Sequence, residues 1–527
     1  MRRRNFLGLL GAAGIAGGLA GLNELRQSEA NGWADSPFER GDVKNVIVLV
    51  GDGMGFDHIE VTEEVHGRLA LQEFAHTGYT QTDSRSGEVT DSAAAGTALA
   101  TGIMVYNGQV SVFGEEGTDD GVELTTQLEV AERLGMETGL VSTTRVTYAT
   151  PAVYASHVGD RDEESEIVSQ MIASGAEVMM GGGRSEWSDD QLTTAEENGY
   201  ELLYEASDLE DASGDRLLGL FADSHIAYTL DRDDSTPGLL DMTETAVDRL
   251  EDGDEGFFLM VEGGRIDHAA HVNDIATTVA ETKEFDDVVA FAREYAAEHE
   301  DTLVIVASDH ETGGLATGDS HGSPIETGKI ANAEASNLRI AVEIEEGADV
   351  ADAVAEYAHV ELDDEEISHL ESQADESFDR LLVALGEVLS DRLGVDWTTQ
   401  EHTGPAQVLM ATGPGEERFL GWHHHVDVSR ETTALLLFGE RERATKVVND
   451  DELRRRVTGD APVRDRDAYT VLTNYVGPVE DDLTAALDTN GDGVVDYGDV
   501  LTLLGVDEDA ESAEIPLAVG RISRREP

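Results

Sequence analysis

Between Asn45 and Val50 the chain reads NVIVLV, a continuous apolar, β-branched run with no polar alternation. A strand with that pattern has no face to offer to water, so it is buried on both sides, as in a parallel sheet covered by helices. Thr138–Ser142, Phe257–Val261, Leu303–Ala307 and Val408–Ala411 read the same way, with helical periodicity between them over Thr125–Leu134 and Asp274–Glu298. Strands alternating with helices predict an α/β fold, a three-layer α/β/α sandwich around a mostly parallel central sheet. A chain of 527 residues exceeds what one hydrophobic core usually supports, so a main domain with an appendage is expected. The expected boundaries are a leader over 1–30, a main domain over 31–455 and a small C-terminal module over 456–527. The acidic stretch from Asn198 to Asp233 reads as surface connection. Residues 349–393 read as an insert of two acidic amphipathic helices.

In open α/β sheets, ligands bind where strands end at their carboxyl edge. Four of the predicted strand ends deliver residues of metal-ligand type. NVIVLV runs into Gly51-Asp52-Gly53, and FFLMV into Glu262 and then Asp267, His268 and His271. LVIVA runs into Ser308-Asp309-His310, and the strand near residue 140 continues to Tyr148-Ala149-Thr150. An Asp between glycines is ordinarily a turn, and one Asp-His pair an ordinary surface loop. The spacing of Asp267 and His271 is more telling, because i and i+4 share one helix face and can grip one ion. With no cysteine in the chain, thiolate sites and disulfides are excluded, and a metal must be held by His and carboxylates. Such a donor set suits catalytic rather than structural zinc. Ser92, in Thr90-Asp91-Ser92-Ala93-Ala94, falls at or near a helix N-terminus. It reads either as an N-cap or as a nucleophile favoured by exposed N–H groups and the positive dipole end.

Taken in order, Val50–Gly55 (VGDGMG), Thr90–Ala94 (TDSAA), Ala149–Ala152 (ATPA), Glu262–His271 (EGGRIDHAAH), Ser308–His310 (SDH) and Glu401–Gly404 (EHTG) resemble the alkaline phosphatases over roughly residues 44–440. The resemblance implies one zinc held by Asp267, His271 and His402, and a second held by Asp52, Asp309 and His310. It implies a magnesium held by Thr150, Glu262 and the other oxygen of Asp52. Ser92 becomes the nucleophile that forms a phosphoserine, and Arg161 the bidentate clamp on the phosphoryl oxygens. Its substrates would be small phosphate monoesters, hydrolysed by in-line transfer with two metals about 4 Å apart. Homodimers are frequent among such proteins. Tyr148 departs from the pattern, since it stands where the family places Asp or His beside the magnesium. His268 is a candidate phosphate contact through water, or a surface helix histidine. His423-His424-His425 reads as a loop or subunit contact, because adjacent side chains diverge and the ligand set is complete without them. Asp91 and His157 take no role.

Other features bear on where such a protein works. Against 35 basic residues stand 110 acidic ones, a net charge of −75, and lysine occurs only at Lys44, Lys283, Lys329 and Lys446. That surface repels nucleic-acid phosphates and excludes nucleic-acid binding as a main role. Dispersed carboxylates with so little Lys resemble the proteins of extreme halophiles, in which molar salt shortens the Debye length to about 3 Å. Arg2-Arg3-Arg4-Asn5-Phe6-Leu7, followed by a Gly/Ala-rich apolar run, resembles a twin-arginine export signal, implying an extracellular or cell-surface protein with no membrane span once the signal is removed. Residues 488–499 match a calcium loop, with oxygens from Asp488, Asn490, Asp492, the Val494 carbonyl, Asp496 and Asp499, and Gly493 at position 6. Two rival readings stay open: a phosphodiesterase or other hydrolase of the same superfamily, and a calcium-binding surface protein whose phosphatase fold has lost activity.

Overall fold

The computed structural model describes residues 41–118, 121–317, 324–442, 450–457, 463 and 465–506. The twin-arginine segment lies outside the described residues. Ten strands form the central sheet: β1 (Asn45–Gly51), β2 (His76–Gln81), β3 (Glu137–Arg145), β4 (Val178–Gly182), β5 (Tyr200–Leu203), β6 (Arg216–Leu220), β7 (Phe257–Gly263), β8 (Thr302–Ala307), β9 (Gln407–Thr412) and β10 (Gly421–His424). Their order across the sheet is β10-β2-β9-β8-β1-β7-β3-β4-β6-β5, with β9 alone antiparallel to its neighbours. The fully apolar runs behave as their pattern predicts. Val46, Val48 and Val50 pack into the core on one side of the sheet, and Ile47 and Leu49 into the core on the other. Each such buried aliphatic side chain contributes about 1.5–3 kcal/mol relative to exposure.

Parallel pairing of β8, β1, β7 and β3 brings their carboxyl ends to one edge at the centre of the sheet. Helix α1 (Ser92–Thr101) begins at that edge, and all ten of its residues are buried. Its sequence, SAAAGTALAT, is small enough for neighbours to close in on every side; a Cβ at Gly96 would already stand 3.0 Å from Val153 Cγ2 on α2 (Ala149–Ala155).

Two sequence expectations need correction. Residues 198–233 are not merely surface connection: they contain β5 and β6, and Leu217, Leu218 and Leu220 are buried in the sheet. Runs of four and five residues set among carboxylates are too short to show a period. The insert at 349–393 holds three helices rather than two: Val350–Tyr357, Asp364–Ala374 and Phe378–Leu393, capped by Asp349, Asp363 and Ser377. Their apolar faces form a third core with Ile275 and Val279.

The C-terminal residues join the main core. Val471, Leu472, Val500 and Leu501 share one cluster with Leu435 and Leu436, and the Tyr497 hydroxyl lies 2.8 Å from Ser429 Oγ. No helix among the described residues is long and apolar enough to cross a membrane.

Candidate active site

Every candidate on the sheet edge converges on one place. Asp52 follows β1, and the next residue, Gly53, takes φ +69; a Cβ there would lie 2.8 Å from Thr312 Oγ1 and 2.9 Å from Asp267 Cα. Glycine is therefore required for the ligand loops to close on one another. Helix α3 (Arg265–His271) carries Asp267 and His271 one turn apart, and His271 Nε2 lies 3.3 Å from Asp267 Oδ1. A short ladder pairs Thr312 with His402 and so returns the last ligand candidate from far along the chain. His402 Nε2 is 3.6 Å from the same Asp267 oxygen and 3.1 Å from His271 Nε2.

The tautomers of these two histidines follow from their outer contacts. His271 Nδ1 lies 2.5 Å from the Gln400 carbonyl and His402 Nδ1 2.9 Å from that of Thr90. A carbonyl only accepts, so each Nδ1 carries a proton and each Nε2 is the nitrogen turned toward Asp267. Burial alone would lower His271, but the bond and charge of Asp267 raise it to about 9, and a cation bound at this place would displace that Nε2 proton. On the other side His310 Nε2 lies 3.2 Å from Asp309 Oδ2, 3.7 Å from Asp52 Oδ1 and 3.2 Å from Ser92 Oγ. Ligand atoms of Asp267, His271 and His402 come within 4.8 Å of one another, as do those of Asp52, Asp267 and His310.

Four buried oxygens here have no hydrogen-bond partner among the described residues: Asp52 Oδ1, Asp309 Oδ2, Glu262 Oε1 and Thr150 Oγ1. An unpaired buried carboxylate is costly, and three beside a threonine hydroxyl fit cations as their missing partners. Electrostatics agree. Burial, then the charges of Asp309, Asp267 and Glu262, push Asp52 well above the usual carboxylate range. Burial lifts Asp309 to about 8 and also raises Glu262. Burial works upward on Asp267 too, but the bond and charge of His271 outweigh it and leave that carboxyl well below its ordinary value. Burial and then His402 hold His310 neutral.

Several positioning groups were not visible in the sequence reading. Thr312 Oγ1 donates to Asp267 Oδ1 at 2.5 Å. Ser142 and Thr144, two apart on β3 and facing the neighbouring β7, both donate to Glu262 Oε2 and leave Oε1 free. The period-two placement of those hydroxyls was a signal, though it names no partner. Asp91 is the N-cap of α1, accepting from Ala94 N at 3.0 Å, so Ser92 is the first helical residue rather than the cap. The other Asp91 oxygen lies 3.1 Å from Arg161 Nη1. His268 Nδ1 faces Arg265 Nη1 at 2.6 Å. The triple histidine diverges as expected: His423 faces the Leu420 carbonyl, His424 that of Asp83, and buried His425 that of Ser308, tying down the loop that carries Asp309 and His310.

In the calcium-loop segment Asp488 accepts from the N–H groups of Gly491, Asp492 and Gly493, Asp496 accepts from Thr125 N at 2.7 Å, and Asp499 accepts from Thr489. Its carboxylates are turned to these donors and are not among the converged groups.

His157 stands apart from the site, with Nε2 3.4 Å from Glu129 Oε1 and Nδ1 3.0 Å from the Ser111 carbonyl. Burial alone would lower it, but the Glu129 charge and bond raise it to about 9; burial would raise Glu129, but His157 lowers it to about 2. The histidine's contribution to stability is therefore full below its unfolded value near 6.5 and lost as pH rises through about 9. That of Glu129 is full above about 4.5 and lost as pH falls through about 2. The substitution His157→Gln is expected to cost about 2 kcal/mol at pH 6 and little at pH 10, read as melting temperature in molar salt. Equal losses at both pH values would refute the ion pair.

Comparison with known proteins follows this geometry. The family model described as alkaline phosphatase matches residues 43–437. Alkaline phosphatase 4 of Bacillus subtilis is 35% identical over 446 residues, covering 81% of this chain and 95% of that protein. The crystal structure of a cold-active alkaline phosphatase from a Shewanella psychrophile superposes with TM-score 0.70 at 31% identity, over 74% of this chain and 99% of that one. A TAB5 alkaline phosphatase variant, solved with Mg bound in its M3 site, superposes with TM-score 0.57 at 26% identity, over 76% and 99%.

Proposed function

The chain belongs to the alkaline phosphatase family and is a metal-binding phosphomonoester hydrolase, and from that premise we propose that it acts outside the cell, in molar salt, through a phosphoserine at Ser92. The observation that carries this is Ser92 Oγ at the mouth of α1, 3.2 Å from His310 Nε2 and beside two convergent ligand groups. One zinc would take Asp267, His271 and His402, and a second Asp52, Asp309 and His310. Magnesium would take Thr150, Glu262 and Asp52, as the unpartnered oxygens permit and as the Mg-bound TAB5 variant supports. When bound, these ions supply positive charge that lowers the pKa of coordinated hydroxyls and stabilises the leaving oxygen.

The chain's own residues do the rest. Asp91 caps α1 and leaves Ser92 at its first turn, where free N–H groups and the dipole favour an anion at the hydroxyl. Arg161, paired with Asp91, offers a planar pair of donors to two phosphoryl oxygens. In-line transfer puts the phosphoryl group on Ser92 as the ester oxygen leaves, and water then attacks the phosphoserine from the vacated side to regenerate the serine. The test is hydrolysis of a chromogenic monoester beside the matching diester in molar salt, with and without chelator. Preference for the monoester, abolished by chelation and restored by zinc with magnesium, supports the reading; preference for the diester overturns it.

Export rests on the twin-arginine pattern at Arg2-Arg3-Arg4. The calcium reading rests on the 488–499 spacing and on the left-handed turns at Gly491 and Gly493. Calcium is expected to raise the melting temperature of the wild type and not of Asp488→Ala; equal responses would remove the site. A homodimer would bury Phe56, Tyr79, Leu420 and Trp422, whose exposures run from 46% to 64%. The rings of Phe56, Tyr79 and Trp422 meet in series at tilted angles, and β2 and β10 contribute no carboxylate to repel a second copy of so acidic a chain.

A further inference from the structure

Among the described residues Arg161 makes one ion pair. Its Nη1 meets Asp91 Oδ2 at 3.1 Å, and that oxygen also accepts from Gly108 N at 3.0 Å, so the carboxylate is fixed. One such contact leaves the guanidinium free to swivel about it, whereas a bidentate donor is useful only when its plane is set. The missing constraint is an aromatic face: the Arg161 guanidinium carbon lies 4.8 Å from the Tyr148 ring centroid, within cation–π range.

Tyr148 is immobilised in turn. It caps α2, and its ring also receives the Arg145 guanidinium at 4.8 Å. Glu164 grips Arg145 with both oxygens, Oε2 to Nε at 3.0 Å and Oε1 to Nη2 at 2.5 Å. His225 and His268 meet the ring edge-on, with centroids 5.0 and 5.6 Å away. Glu164, Arg145, Tyr148 and Arg161 thus form one packed series ending at the phosphoryl clamp.

We propose that Tyr148 is a positioning residue whose ring face sets the plane of Arg161, so that this site organises its phosphoryl clamp with an aromatic platform. The proposal rests on the assignment of Arg161 to the transferred phosphoryl group. Only the ring is used; the hydroxyl plays no part.

The test measures kcat, KM for a chromogenic monoester, the inhibition constant of inorganic phosphate, and bound zinc and magnesium, for Tyr148→Phe and Tyr148→Leu in both wild-type and Arg161→Ala backgrounds. Tyr148→Phe is expected within about twofold of wild type. Tyr148→Leu is expected to raise KM and the phosphate inhibition constant about tenfold, with metal content unchanged and no further effect once Arg161 is alanine. An equal rise in the Arg161→Ala background, an equal loss in Tyr148→Phe, or a changed metal content would overturn the platform. An Arg161→Ala variant that binds phosphate as tightly as wild type would instead remove the assignment of Arg161 itself. Should Tyr148→Leu not fold, Glu164→Gln, which releases Arg145 without touching the ring, reads the same series: the inhibition constant rises about threefold, and an unchanged value overturns the proposal.

Discussion

Replacing Ser92 by alanine is expected to lower kcat/KM for a phosphate monoester by roughly 10⁴-fold or more, the scale on which loss of a nucleophile acts. The same variant is expected to melt within about 0.5 kcal/mol of wild type, because the capping bond of α1 comes from Asp91 and not from Ser92. The two readouts separate chemistry from folding. Serine elsewhere in the site cannot substitute: Ser308 Oγ is committed to the His310 carbonyl at 2.6 Å, and Ser142 to Glu262. Phosphate trapped from labelled ester on the acid-quenched wild type, and absent from the variant, would place the covalent step on this residue. A variant as fast as wild type would sink the serine mechanism.

Dilution from several molar potassium chloride to 0.1 M is expected to unfold the protein and abolish activity, with both recovered on restoring salt. The Debye length grows from about 3 Å at 1 M to about 10 Å at 0.1 M, so carboxylates that ignored one another come to repel. With a net charge of −75 the repulsion is spread over the whole surface. The helices show why: over Asp364–Ala374 only Leu370 is fully buried, with Ala374 partly covered, and over Asp189–Glu197 only Ala195, with Leu192 partly covered, so each has few apolar anchors beneath an acidic face. A neutral osmolyte at matching osmolality is expected not to rescue. A melting temperature independent of salt between 0.1 and 3 M would refute the screening account.

The central strands and the ligand candidates were legible because each is a local pattern. A run apolar at every position can only be buried on both faces, and Asp267 and His271 announce one helix face by spacing alone. Strands β5 and β6 were missed because Tyr200–Leu203 and Arg216–Leu220 are short runs amid acids, which become strands only by parallel pairing with each other and with β4. Strands β2 and β10 were missed for a related reason: HTGYTQ and GWHH acquire strand character only at the sheet edge.

By itself the sequence determined the fold class, the donor chemistry open to a chain without cysteine, the order of the motifs and the net charge of −75. These follow from residue type and near-neighbour spacing, which hydrophobic burial and acid–base chemistry read directly. The tertiary structure alone decided that His402 turns its Nε2 toward that of His271, that Ser142 and Thr144 free one oxygen of Glu262, and that the Tyr148 ring lies against Arg161. The first two depend on the register between strands or loops far apart in the chain, and register is set by the packing of the whole sheet rather than by any local stretch; the third depends on how α2 and the loop after it fold back on that sheet.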